Sequence, residues 1–202
     1  PVTEKITVLR HCDRMSYWVV GHEWGSERFF VWRITEEGLD NNPVITNTGP
    51  VYSGIPQNGA GYMKASRNDD LLALAVTGSN RVDIFGFDNL NGVPFFMYSI
   101  DNIFQPYGIE FSDDQSLLYV SSLTGEIWQY NLNAVNVSGS GTVVGTTGKL
   151  TGALQIAPDG RIYITRDLDY FLGYIGSPNS FGSGCNYVQN GLYLSGRTSE
   201  AG

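Results

Sequence analysis

Apolar and polar residues alternate along most of this chain in short runs, and polar or glycine-bearing turns separate the runs. That two-residue period, rich in β-branched and aromatic side chains, predicts half-buried β-strands. Residues 107–132, YGIEFSDDQSLLYVSSLTGEIWQYNL, show the pattern most fully. They read as a strand over 108–111, a polar turn over 112–116, a strand over 117–121, a glycine-containing loop, and a strand over 127–132. No window keeps a 3.6-residue apolar period, so helices are not expected.

The same order of elements recurs on both sides. Residues 62–88 give GYMKAS, the turn RNDD, LLALAV, TGSN and RVDIFGFD; residues 153–175 give ALQIA, PDGR, IYIT and FLGYI. Setting turn on turn aligns Ser66, Ser112 and Ala157, a spacing of 46 and then 45 residues. A first copy, KITVLRHC, DRMS, YWVVGHEW and RFFVWRIT, aligns Asp13 with Ser66 at a spacing of 53, with the surplus in residues 36–58. Each copy leaves room for a fourth strand, at 43–46, 95–100, 142–145 and 190–194. Four repeats of about 45 residues with four strands each predict the blades of a β-propeller, over residues 3–56, 57–101, 102–148 and 149–202 of one all-β domain, 1–202. First strands are expected near 7–11, 62–65, 108–111 and 153–156. Four blades are either a complete small ring or an arc of a larger propeller. An irregular sandwich is the competing fold, but sandwiches seldom keep such spacing.

Composition narrows the functional classes. The chain has 202 residues, 42% of them hydrophobic, enough for a sizeable core, and 25 glycines, which suit many tight turns. A net charge of −8, with 12 Lys and Arg scattered singly, removes the attraction that nucleic acids or anionic membranes require. No apolar run approaches the roughly 18 residues of a membrane helix. The chain opens at Pro1 without a basic-then-apolar leader, so it reads as a processed product or an excerpt.

Candidate chemistry is sparse. Both histidines lie in the first repeat, in His11-Cys12-Asp13 and His22-Glu23-Trp24, but no spacing places three zinc ligands together, and no metal or cofactor is expected. Neither histidine sits beside a nucleophile, so no catalytic residue is assigned. The acidic turns SRNDD, SDDQS and APDGR lack the ladder of a calcium loop and suit tight turns. The sequon at Asn136 is a single short match, and residues 136–151 read as an outer strand with flexible connections. Two positions before the aligned turns stand His11, Lys64, Glu110 and Gln155, one polar residue per repeat. Such a ring either satisfies itself between blades, as Lys64 with Glu110 would, or lines an axial ligand site.

Several phrases, YWVVGHEWGSERFFVWRITEEG, YGIEFSDDQSLLYVS, LQIAPDGRIYI and CNYVQNGLYLSGRTS, resemble the WD40-like propeller region of large secreted Bacteroidota proteins. Those proteins often end in a gliding-motility-associated, type IX secretion sorting domain. The resemblance implies an extracellular or outer-cell-surface location, membership of a larger multidomain chain, and no catalytic residues. For an exported chain with two cysteines, a ring would allow Cys12 to pair with Cys185, but one lies near the axis and the other toward the rim, so the bridged and the free state both stay open.

Recognition is expected on the face bearing the loops between second and third strands, which hold His22, Glu23, Trp24, Arg28, Arg81, Arg166, Asp167 and Tyr170; the turn face offers mainly short polar residues. Trp, Tyr and Arg are the residues in which binding energy concentrates. The function expected is a non-catalytic recognition or scaffold module that binds a protein or glycan. A propeller hydrolase or lactonase with an axial site, a structural spacer in a long adhesin and a quinone-dependent dehydrogenase are the alternatives.

Overall fold

The computed structural model describes residues 1–201. All of its regular structure is antiparallel sheet apart from single turns of 3₁₀ helix. Sheet 1 holds β1 (Val2–Arg10), β2 (Tyr17–Glu23) and β3 (Arg28–Thr35), with the short β4 (Gly38–Leu39) and β5 (Val44–Asn47) both paired to β3. Sheet 2 holds β6 (Met63–Ala65), β7 (Leu71–Val76), β8 (Arg81–Asp88) and β9 (Val93–Asp101). Sheet 3 follows with β10 (Pro106–Phe111), β11 (Leu117–Ser122), β12 (Glu126–Asn131) and β13 (Thr142–Thr146). Sheet 4 closes the series with β14 (Thr151–Ile156), β15 (Ile162–Arg166), β16 (Phe171–Ile175) and β17 (Tyr187–Tyr193). One sheet per repeat, of five strands in the first and four in each of the others, is the all-β blade architecture that the repeats predict. The last strand begins three residues earlier than its apolar pattern indicates.

The chain forms two compact units, Pro1–Ile100 with sheets 1 and 2, and Asp101 onward with sheets 3 and 4. In the first unit, Leu9, Trp18, Val20, Phe29 and Val31 of sheet 1 pack with Tyr52 against Met63, Leu72, Leu74, Val76, Phe85 and Phe87 of sheet 2. The Phe29 and Phe85 rings meet edge to face at 5.0 Å. In the second unit, Leu117, Tyr119 and Ile127 pack against Leu154, Ile162, Ile164, Ile175 and Cys185. Each such side chain contributes about 1.5–3 kcal/mol by leaving water. The first strands of sheets 3 and 4 approach so closely that a Cβ on Gly108 would lie 2.2 Å from the Gly152 carbonyl oxygen.

Burial along the strands distinguishes the sheets. The continuous apolar run LLALAV of β7 is buried from Leu72 to Val76, and β11 is buried throughout, so neither of these inner strands alternates as a half-covered strand does. Strands β1, β3 and β15 alternate between buried and more exposed positions, so sheets 1 and 4 are covered on one face.

The turns between first and second strands are built alike, and they correct the alignment of the first repeat. The His11 amide bonds to the Ser16 carbonyl as Ser66 does to Leu71, Ser112 to Leu117 and Ala157 to Arg161. Three residues past each of these donors the backbone turns left-handed, at Arg14, Asp69, Gln115 and Gly160, with φ of 63°, 59°, 59° and 80°. His11, and not Asp13, therefore corresponds to Ser66. Asp13 occupies the third turn position, where its carboxylate accepts the Met15 and Ser16 amides, as Asp114 accepts that of Ser116 and Asp159 that of Arg161. The position two before the turn is Leu9 in sheet 1, a core residue.

Candidate functional site

That shift removes His11 from the predicted ring. His11 is buried at the foot of the first turn, where its Nδ1 accepts the Asp13 amide at 3.0 Å and its ring lies 5.2 Å from that of Trp18. Of the other three, Lys64 is half-buried and Gln155 is exposed, donating to the Ile156 carbonyl. Glu110 is buried, and its carboxylate accepts the Phe111 and Ile156 amides, a link between the first strands of sheets 3 and 4. With Leu9 at the equivalent place in sheet 1, the first repeat contributes no polar side chain at that position.

The Cys12–Cys185 bridge is not made either; both thiols are free. Cys185 is wholly buried in the core of the second unit, and burial raises its thiol pKa. Cys12 is exposed in the first turn, 3.8 Å from His11 Nδ1. A sulfur packed among Ile162, Ile164 and Tyr119 belongs to the apolar interior, where cysteine behaves as a small hydrophobe.

The predicted loop residues separate into two kinds. His22 is 0% exposed and stands in the interior of unit 1, its ring 4.6 Å from Phe29 and 4.3 Å from Tyr52. Neither ring nitrogen has a hydrogen-bond partner, and burial, with help from Lys5, depresses its pKa to about 4. Arg166 is 1% exposed and braces sheet 4, donating to the Phe171 carbonyl and Asn190 Oδ1 while its Nη1 lies 3.4 Å from Asp169. These two are structural. Arg81 is half-buried, with Nε 3.2 Å from Asp83, and the Asp167 amide donates to the Leu150 carbonyl. Glu23 and Arg28 form a partly exposed ion pair at 3.3 Å, with Ser26 donating to Glu23. Tyr170 is 52% exposed in the loop before β16.

Trp24 is half-buried beside a shallow cleft lined by Val2, Thr3, Glu4, Pro56, Gly59 and Ala60. Its backbone amide donates to the Pro1 carbonyl, and its ring lies so near Gly59 that a Cβ there would sit 3.3 Å away. Beneath the cleft runs a polar network that sequence reasoning missed. Lys5, 0% exposed, donates to the carbonyls of Asn58, Gly59 and Ala60 at 3.3, 3.0 and 2.7 Å, and desolvation lowers its pKa to about 8. Tyr52 donates to the buried Asp83 carboxylate at 2.8 Å, which also accepts from Ser99 at 2.6 Å. The network ties the loop after Val51 to both sheets of the unit and gives the cleft a fixed floor. Lys5 was findable, since Thr3, Lys5, Thr7 and Leu9 occupy the core-facing phase of β1. Tyr52 lies in the surplus stretch of the first repeat and carried no signal.

At the other end of β1 the turns hold more chemistry than the sequence indicates. Arg10, Arg14, Arg67, His11 and Cys12 line a basin with Asn68, Asp69 and Asn89. The Arg10 guanidinium is committed to the Arg14 carbonyl, and Asp69 Oδ1 accepts the Arg10 amide. Among the described residues, no three His, Cys, Asp or Glu side chains are grouped to hold a metal ion.

No protein-family model and no curated protein matches this chain. Solved structures do. A protein from Bacteroides uniformis described as a 6-phosphogluconolactonase superimposes with a TM-score of 0.62 at 13% identity, over 89% of this chain and 55% of its own. Virginiamycin B lyase from Staphylococcus aureus matches with a TM-score of 0.57 at 12% identity, over 93% of this chain and 54% of the other. The periplasmic gluconolactonase of Pseudomonas aeruginosa gives 0.56 at 17% identity, over 96% and 56%. The chain therefore has the β-propeller fold, and it spans just over half the length of these neighbours.

Proposed function

We propose that this chain is a non-catalytic recognition or scaffold module of a secreted or cell-surface bacterial protein, and that it binds a protein or glycan through the loop end of its first unit. The observation that carries the reading is the cleft at Trp24, where an aromatic ring, an acidic side chain and a rigid loop meet at the surface over a hydrogen-bonded floor. Aromatic faces held in place supply binding area at small entropic cost. The extracellular location and the kinship with type IX secretion and gliding-motility proteins of Bacteroidota rest on the sequence phrases; one structural neighbour is itself periplasmic. Shared fold alone favours the competing lactonase reading, and fold does not fix function.

A glycan array probed with the wild type and with Trp24→Ala tests the proposal. The expected result is a set of glycans retained by the wild type and lost by the variant, with circular dichroism showing both proteins folded at the assay temperature. If neither binds and the wild type hydrolyses gluconolactone, the lactonase reading replaces this one.

A further inference from the structure

The turns that follow the first strands of sheets 1 and 2 enclose a basin of about 440 Å³, at the end of β1 opposite the Trp24 cleft. Three of the chain's 12 Lys and Arg meet on its wall, Arg10, Arg14 and Arg67, although the net charge of the chain is −8. They face one carboxylate, that of Asp69, whose Oδ1 already accepts the Arg10 amide at 2.9 Å. The acids next in sequence to the lining residues are engaged in their own turns. Asp13 pairs with Arg33 at 2.7 Å, Asp70 accepts from Ser66 Oγ at 2.9 Å, and Asp88 accepts the Leu90 amide at 3.1 Å. Positive charge is thus gathered in one concave place, where the protein walls focus its field.

The walls are held by the chain itself. Asn89 joins the two turns, its Nδ2 donating to the Arg10 and Asp69 carbonyls at 2.8 and 3.0 Å, while the Trp18 indole donates to the Asn89 carbonyl at 2.8 Å. The Arg10 guanidinium holds the Arg14 carbonyl, and no bond from the Arg14 guanidinium to any of the described residues competes for it. His11 lines the same wall and is 6% exposed. Because its Nδ1 accepts the Asp13 amide, the ring proton lies on Nε2, which bonds none of the described residues and is left to an occupant.

We infer that this basin binds a phosphate group, free or as a small monoester, with the Arg14 and Arg67 guanidiniums and the His11 Nε2–H as donors. Three guanidiniums less one carboxylate leave two positive charges, which a phosphate dianion matches, and the planar fork of arginine pairs with two of its oxygens. The volume leaves room for the organic part of an ester. A polyanion is disfavoured, because the rest of the chain is acidic. The site is independent of recognition at the Trp24 cleft and shares no lining residue with it.

Cys12, the exposed thiol, lines the basin, while Cys185 is buried, so alkylation of the native protein by neutral iodoacetamide reports occupancy. At constant ionic strength, millimolar orthophosphate is expected to slow the reaction of the wild type saturably. Arg14→Gln and Arg67→Gln should each need about tenfold more phosphate for the same protection, the loss of a charge-assisted contact. Gln115 stands at the equivalent left-handed turn position of sheet 3, so Arg14→Gln should fold, which circular dichroism checks. Broadening of the phosphorus NMR signal by the wild type, and its loss with both variants, gives the same reading without the thiol. Protection by glycerol phosphate as well identifies an ester as the occupant, and protection by orthophosphate alone the free ion. Acetate protecting as well as phosphate at equal ionic strength, protection unchanged in both variants, or neither protection nor broadening would overturn the inference.

Discussion

His22 shows how a residue of apparent chemical promise becomes a packing residue. Its ring fills the space between Phe29 and Tyr52 and is held neutral by burial, with neither nitrogen bonded. The unfolded chain takes up a proton on this imidazole below about pH 6.5, the folded chain only below about 4. Between those values the unfolded state binds more protons, so stability falls as pH drops through the window, by about 3 kcal/mol in all. Urea unfolding of the wild type and of His22→Phe at pH 7 and pH 4.5 should show near-equal stability at pH 7 and a smaller acid loss in the variant. Carboxylates titrate in both proteins, so the difference isolates His22. An equal acid loss in both would contradict the buried, neutral assignment. The sequence offered His22 as a binding residue because adjacency to Glu23 and Trp24 is visible in a string of letters. That position 22 lies on the inward phase of β2 was equally readable, through Trp18 and Val20.

At the scale of elements, strands and turns were largely legible because each follows from local chemistry. Alternation marks the half-covered strands, unbroken apolar runs mark the fully covered ones, and Asp, Asn and Gly mark the turns. The misplacement of the first repeat came from matching residue types: Asp13 was set on Ser66, when the amide that closes the turn belongs to His11. Residue 14 offers no glycine to flag the left-handed position, although Gly160 does in the last turn. Two glycine substitutions separate backbone from packing effects. Gly160→Ala meets no atom within 4 Å, so it should cost only about 1 kcal/mol for the left-handed backbone. Gly108→Ala drives a methyl group onto the Gly152 carbonyl and Ser121 Oγ, and should cost about 1–3 kcal/mol or more. Equal losses in chemical denaturation would mean that the first strands of sheets 3 and 4 pack less tightly than described.

For the whole molecule, the period of the repeats conveyed the architecture, while the cleft, the buried network and the fate of the thiols depend on contacts between residues far apart in sequence. Lys5 reaches carbonyls more than fifty positions away, and Tyr52 meets Asp83 from a stretch with no periodic pattern. The case for pairing the cysteines came from export, a property of the compartment, and the fold places one in a core and one on a turn. Thiol titration with a chromogenic disulfide should therefore find one rapid reaction, at Cys12, in the folded protein and a second only after unfolding. Two rapid reactions, or none, would contradict the free and unequal thiols.

The up-and-down order of the strands has a kinetic consequence. Nearly every strand pairs with the strand that precedes or follows it in the chain, mostly across connections of a few residues, with longer ones before β13 and β17. Closing such short loops costs little entropy, and proteins rich in nearby pairings cross their folding barrier faster than those that must first join distant segments. Each sheet can thus nucleate from its own repeat. Association of the sheet faces, where the long-range contacts lie, then becomes the later and slower event.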